Sequence, residues 1–84
     1  MDSKAISNEF LRQLGKRIKE ERELKNFTLE NMDALCDIDP SDFSKIENGR
    51  QNITFKTFIR IAVALDINPL KLFRFEFTLD EFKN

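Results

Sequence analysis

Residues 28–49 read TLENMDALCDIDPSDFSKIENG, and this stretch decides the fold. It holds two short helices with little chain between them. Thr28 is a favourable N-cap. Phe27 precedes it and Met32 stands at the fourth helical position, the arrangement of a hydrophobic staple. Met32 and Leu35 are expected to face inward, with the helix running to Leu35 or Cys36. A chain reversal follows at Asp37, a residue type that tolerates the left-handed region better than most. Asp39 then caps a second helix with Pro40 at its first position, where a missing N–H costs nothing. Ile38 and Phe43 form another staple pair. This helix is expected to end at Asn48, with Gly49 as the left-handed residue beyond it. Two helices joined by a turn of about three residues have the spacing of a helix-turn-helix, whose second helix can enter the major groove of duplex DNA.

The flanks carry the same punctuation. Upstream, Leu11, Leu14 and Ile18 recur at helical spacing with Phe10 beside them, which predicts a helix over about Ser7 to Lys25. Downstream, Thr54 caps a fourth helix, with Ile53 and Phe58 as its staple and Phe55, Phe58, Ile59, Ala62 and Leu65 as its apolar face. Asn68 caps a fifth, with Pro69 first and Ile67 opposite Leu72. In the tail Phe73, Phe75 and Phe77 alternate with Arg74 and Glu76, a strand-like period of two. Thr78 to Glu81 reads as a capping box opening a last turn that carries Phe82. The fold class expected is therefore all-α: one domain over 1–84, five helices, a helix-turn-helix unit at about 28–48, and an aromatic C-terminal tail at 74–84.

Composition excludes much chemistry. The 84 residues contain no His, Tyr or Trp, a single cysteine and only two glycines. A Ser–His or Cys–His nucleophile and a Cys/His zinc site are out of reach. Gly15 and Gly49 are too far apart to build a phosphate-cradling loop. We expect a binding module and not an enzyme, with neither cofactor nor metal. No apolar run approaches the roughly 20 residues that span a bilayer, and the N-terminus lacks the apolar stretch of a signal peptide. Cys36 has no internal partner, which fits a reducing cytoplasm. It is read as a small buried apolar residue, whose acidic neighbours Asp37 and Asp39 would raise the thiol pKa.

Helical phase then separates a face from a back. In the segment after Asp39, Phe43, Ile46 and Glu47 fall on one side, and Ser41, Lys45 and Asn48 are centred on the other, flanked by Ser44 and Asp42. Small polar side chains with one lysine outward let a helix approach base edges. Arg22 and Glu47 each extend the apolar stripe of their own helix, four residues past Ile18 and Phe43. Opposite charges in such places are expected to be partners, since an isolated buried charge is costly. The predicted Arg22–Glu47 ion pair ties the first helix to the third.

With these residues in view, the chain from about Leu14 to Phe73 resembles the phage repressor/Cro-like, Xre-type helix-turn-helix regulators. The resemblance is carried by GKRIKEERELKNFTLENM (15–32), DIDPSDFSKIENGRQNIT (37–54) and FKTFIRIAVALDINPLKLF (55–73). Its most specific pieces are Arg22 and Glu47, SKIENG at 44–49 and IAVALDI at 61–67. It implies a five-helix fold, usually dimeric, that binds operator DNA and regulates transcription. It further implies that Ser41, Ser44 and Lys45 touch bases or nearby phosphates. Asn48, Arg50, Gln51 and Asn52 would run along the phosphate backbone, and the amides at Thr28 and Leu29 would meet a phosphate. Arg22 and Glu47 match the family's internal ion pair. Leu29 and Pro40 stand where polar or basic residues are common, and Asp42 adds a negative charge beside the reading face.

Charge is distributed unevenly. Residues 1–27 hold seven basic and five acidic side chains, 28–49 one against six, and 50–84 six against four. The helix-turn-helix unit is thus the most acidic segment, and the expected phosphate partners are Lys45, Arg50, Lys56 and one or two of Lys16 and Arg17. Two uses of the tail remain open: it folds back to complete the core, or Leu70, Phe73, Phe75 and Phe77 form a dimer contact. The leading expectation is a cytoplasmic homodimer binding double-stranded DNA at a pseudo-palindromic operator, away from membranes. The alternative is a protein–protein interaction module, an antitoxin-like subunit or an adaptor, with weak or no DNA binding.

Overall fold

The computed structural model describes residues 2–83. Four α-helices are followed by two short 3₁₀ helices: α1 (Ser3–Leu24), α2 (Leu29–Cys36), α3 (Pro40–Glu47), α4 (Phe55–Ala64), then Pro69–Phe73 and Leu79–Phe82. The architecture is all-helical, with no strand among the described residues.

The local signals set the helix starts. Thr28 Oγ1 accepts from the Asn31 N–H at 3.0 Å while Asn31 Oδ1 accepts from the Thr28 N–H at 2.8 Å, a reciprocal box that opens α2. Asp39, Thr54 and Asn68 cap their helices in the same side-chain-to-backbone way. The first helix begins four residues earlier than expected, because Asp2 Oδ1 accepts from the Lys4 N–H at 2.9 Å and caps it. The fifth helix is a 3₁₀ helix of five residues.

The helix ends share one device. Asn26, Gly49 and Asp66 have φ of 59°, 70° and 52°. After each, the next residue's N–H returns to a carbonyl five residues back: Phe27 to Arg22, Arg50 to Lys45, Ile67 to Ala62. These are Schellman turns, and they satisfy carbonyls the helix leaves open. Asp37 is left-handed as well, with φ 58° and ψ 46°, and turns the chain between α2 and α3.

The core is Leu14 and Ile18 of α1, Met32 and Cys36 of α2, Ile38, Phe43 and Ile46 around α3, Phe58, Ile61, Ala62 and Leu65 of α4, and Leu72. Three expectations are corrected. Leu35 is exposed rather than inward, and so are Phe55 and Ile59, which were expected on the core face of α4. The inward face of α4 is Phe58, Ile61, Ala62 and Leu65; the helix carries a second apolar stripe that points away from the core. Spacing fixes the angle between two stripes but not which of them meets the rest of the chain.

The tail folds back. Phe10 of α1 meets Phe73, Phe75 and Phe77 with ring centroids 5.8, 5.1 and 5.4 Å away, Phe73 meets Phe58 at 5.0 Å, and Phe77 stacks with Phe82 at 5.9 Å. The strand-like alternation does not produce a strand. Arg74 adopts φ −80° and ψ 75°, and the Phe75 N–H donates to the Phe73 carbonyl at 2.9 Å. This inverse γ-turn brings Phe73 and Phe75, two residues apart, onto the same ring of α1. Phe73, Phe75 and Phe77 pack within the chain and are half-buried, while Leu70 is exposed.

Candidate nucleic-acid interface

The site is built on the back of α3. Glu47 is 7% exposed. Its Oε2 accepts from Arg22 Nε at 2.6 Å and its Oε1 from Arg22 Nη2 at 3.2 Å, a two-point pairing that fixes both planes. Arg22 Nη1 donates to the Phe27 carbonyl at 2.7 Å, so the guanidinium also holds the turn leaving α1. The hydrogen bonds that Arg22 donates to Glu47 push the Arg22 pKa above its ordinary value, against the opposing effect of burial. The predicted ion pair is present, and its third bond, to a backbone carbonyl, carries no sequence signal.

Two glycines let α1 and the end of α3 approach closely. A Cβ on Gly15 would lie 2.6 Å from the Glu47 carbonyl oxygen, and one on Gly49 would lie 2.6 Å from the Arg12 Cα. Larger residues would push α3 off α1. The glycines, the Schellman turn at Gly49 and the ion pair hold α3 at one angle from three directions.

The opposite side of α3 is open. Ser41, Lys45 and Asn48 are exposed and Ser44 is half-buried. Lys45 Nζ lies 4.0 Å from Asp42 Oδ1, a loose surface pair that leaves the ammonium accessible. Beyond α3, Arg50 and Asn52 are exposed and Gln51 is half-buried; Asn52 borders a shallow groove with Ser7, Asn8 and Leu11 of α1. Lys56 opens α4 on the exposed side. At α2, Thr28 is exposed but its hydroxyl is engaged by the cap, and Leu29 packs against the core. What remains there for an anion is the pair of unbonded N–H groups that any first helical turn presents.

One expected phosphate partner is otherwise engaged. Arg17 Nη2 donates to the Lys71 carbonyl at 2.9 Å and lies 3.0 Å from Glu21 Oε1. It clamps the first 3₁₀ helix to α1, leaving Lys16 as the exposed cation of that pair. Cys36 is buried, and its Sγ donates to the Met32 carbonyl at 3.0 Å. Burial is the main cause that raises its pKa, with Asp33 and Asp37 adding to it and Arg60 opposing. Among the described residues no group of acidic or thiol side chains is arranged to hold a metal ion, and no helix is long and apolar enough to cross a membrane.

Comparison with known proteins agrees with this geometry. A family model described as a helix-turn-helix domain matches residues 15–76, and the chain belongs to that family. Among solved structures, the restriction-modification controller protein C.AhdI from Aeromonas hydrophila is similar at 33% identity with a TM-score of 0.72, over 75% of this chain and 96% of that one. No curated protein matches. The fold, the outward polar side of α3 and the family together define a DNA-binding transcriptional regulator of the Xre type.

Proposed function

We propose that this protein acts in the cytoplasm as a homodimeric, sequence-specific regulator on a pseudo-palindromic operator, binding DNA without catalysing a reaction on it. Each subunit lays α3 in the major groove. Ser41, Ser44 and Lys45 face base edges, and a lysine there fits the O6 and N7 acceptors of guanine. Asn48, Arg50, Gln51, Asn52 and Lys56 follow the phosphate backbone, and the first turn of α2 meets a phosphate through the Leu29 N–H, the Thr28 N–H being donated to Asn31 Oδ1. The two subunits address half-sites about 34–36 Å apart. The observation that carries this reading is the two-sidedness of α3: small polar side chains outward, and a buried bidentate ion pair fixing its back. The likeness to a controller protein supports a role in transcription control.

The test is titration of duplex DNA at several salt concentrations. With Lys16, Arg50 and Lys56 on phosphate in each of two subunits, the log–log slope is expected near −5. Lys45→Ala should weaken specific binding by about 1–3 kcal/mol and flatten the preference at one base position. A variant with unchanged affinity removes Lys45 from the reading face.

A second reading is favoured by Asp42 and by the excess of acidic over basic residues in 28–49. On it, the fold is kept as an interaction module for a partner protein. Absence of duplex binding at low salt, with a stable heteromeric complex, supports that reading over the first.

A further inference from the structure

The two acidic side chains of α3, Asp42 and Glu47, stand on different sides of it. Glu47 lies at the back and is taken up by Arg22. Asp42 lies beside the outward ridge, three residues before Lys45, where the two side chains are neighbours on the helix surface. The Asp42 side chain is 50% exposed, and Lys45 Nζ is 4.0 Å from its Oδ1. That separation is too long for a hydrogen bond. An acceptor and a donor thus sit side by side, each with its bonding capacity still open.

A polar residue at the third position of a helix has an ordinary use: it reaches back to the N-cap N–H and closes a capping box. Asn31 does so in α2, where its Oδ1 accepts from the Thr28 N–H. Asp42 holds the same position in α3 and is not used in this way. There the N-cap works alone, with Asp39 Oδ1 accepting from the Ser41 N–H. Capping therefore does not account for the Asp42 carboxylate, and neither does a buried ion pair.

With α3 in the major groove, its first turn is the part that meets base edges. A carboxylate there can only accept and an ammonium can only donate. Cytosine presents its N4 amino donor alone, and the guanine paired with it presents the O6 and N7 acceptors. One such pair satisfies both side chains. The reversed pair sets guanine acceptors against Asp42 and an amino donor against Lys45. Adenine offers an N6 donor, but beside it stands its own N7 acceptor, which repels a carboxylate. The backbone is a poorer partner still. A lone lysine binds phosphate as a point charge, whereas Asp42 partly offsets Lys45 and meets phosphate as a like charge.

Resting on the reading of α3 as the helix in the groove, we propose that Asp42 and Lys45 together read one G·C base pair in each half-site, Lys45 donating to guanine O6 and N7 and Asp42 accepting from the N4 amino group of the paired cytosine. Asp42 is then a specificity-determining residue. It fixes the orientation of that base pair, which a lysine alone reads only from the guanine side. Its charge lowers affinity for duplex in general and widens the gap between the operator and other sequences.

The experiment uses the full chain and duplexes selected from a random pool, then varied at the one position per half-site that Lys45→Ala relaxes. The wild type should prefer one orientation of G·C there over the reverse by about ten-fold. Asp42→Ala should cut that preference to about two-fold and raise affinity for a duplex lacking the operator. Asp42→Asn should move the preferred base from cytosine to adenine, whose N6 and N7 an amide takes together, while Lys45 turns to thymine O4. Asp42→Ala combined with Lys45→Ala should relax that same position and no second one. If Asp42→Ala strengthens binding to every duplex alike, Asp42 is a repelling charge only and the proposal fails. Relaxation by Asp42→Ala at a different position, or a wild-type preference for A·T where Lys45 reads, overturns it as well. In each of these results duplex binding persists and the regulator reading stands. A wild-type chain that binds no duplex at low salt overturns that reading, and the paired readout with it.

Discussion

The two halves of α1 are held by opposite kinds of contact. Its C-terminal half meets α3 through Gly15 and the bidentate Arg22–Glu47 pair, contacts that depend on direction and tolerate little displacement. Its N-terminal half meets the tail through Phe10 and the rings of Phe73, Phe75 and Phe77, contacts that supply apolar area and leave the angle loosely defined. The helix proposed to face DNA is attached at the directional end. A reading helix misplaced by a fraction of an ångström loses base contacts, whereas a tail displaced by as much still excludes water. The difference predicts that damage at one end appears in recognition and damage at the other in stability alone.

Breaking the directional end should have the largest effect. Glu47→Ala leaves the Arg22 guanidinium buried without its carboxylate, and the loss of stability in urea unfolding is expected at about 3–5 kcal/mol. Arg22→Met with Glu47→Leu should restore most of that loss, because an apolar pair of similar volume fills the same space. It should not restore operator preference, since the apolar pair no longer fixes the angle of α3. Full recovery of binding in the double variant would show that area suffices at both ends.

Phe10→Ala should cost about 2–3 kcal/mol, less than a fully buried phenylalanine, because Phe10 is half-buried. Its affinity for duplex, measured well below the unfolding transition, should match the wild type. A changed base preference would mean that the tail also sets the reading angle.

The smallest effect is expected away from both ends, at Cys36 of α2. Burial raises its folded pKa above the unfolded value, so the stabilising difference is complete below the unfolded pKa and is lost as pH rises through the folded one. Stability should therefore fall as pH rises above about 8.5. Cys36→Ala should remove that part of the decline, read as the difference between the two pH–stability curves.

The sequence makes some of this legible and hides the rest for definite reasons. Thr28, Asp39, Thr54 and Asn68 are readable as caps because a cap is a contact between a side chain and its own backbone. Arg22 and Glu47 are readable because charge on an apolar stripe needs a partner. The outward ridge of α3 follows from phase once its back is known. Leu35, Phe55 and Ile59 were placed inward since periodicity does not choose between two apolar stripes on one helix. Arg17 looked free for phosphate because the Lys71 carbonyl that takes it lies 54 residues away. The turn at Arg74 rests on backbone angles that no residue type there demands, so the phenylalanine alternation looked like a strand.

Selection of bound duplexes from a random pool, read by sequencing, tests most directly whether α3 reads DNA at a fixed angle. The account predicts a two-fold-symmetric consensus with half-site centres about 10–10.5 base pairs apart or a multiple of that, degraded at one symmetric pair of positions for Lys45→Ala. A pool left unenriched at low salt, or a consensus that Lys45→Ala leaves unchanged, would contradict it.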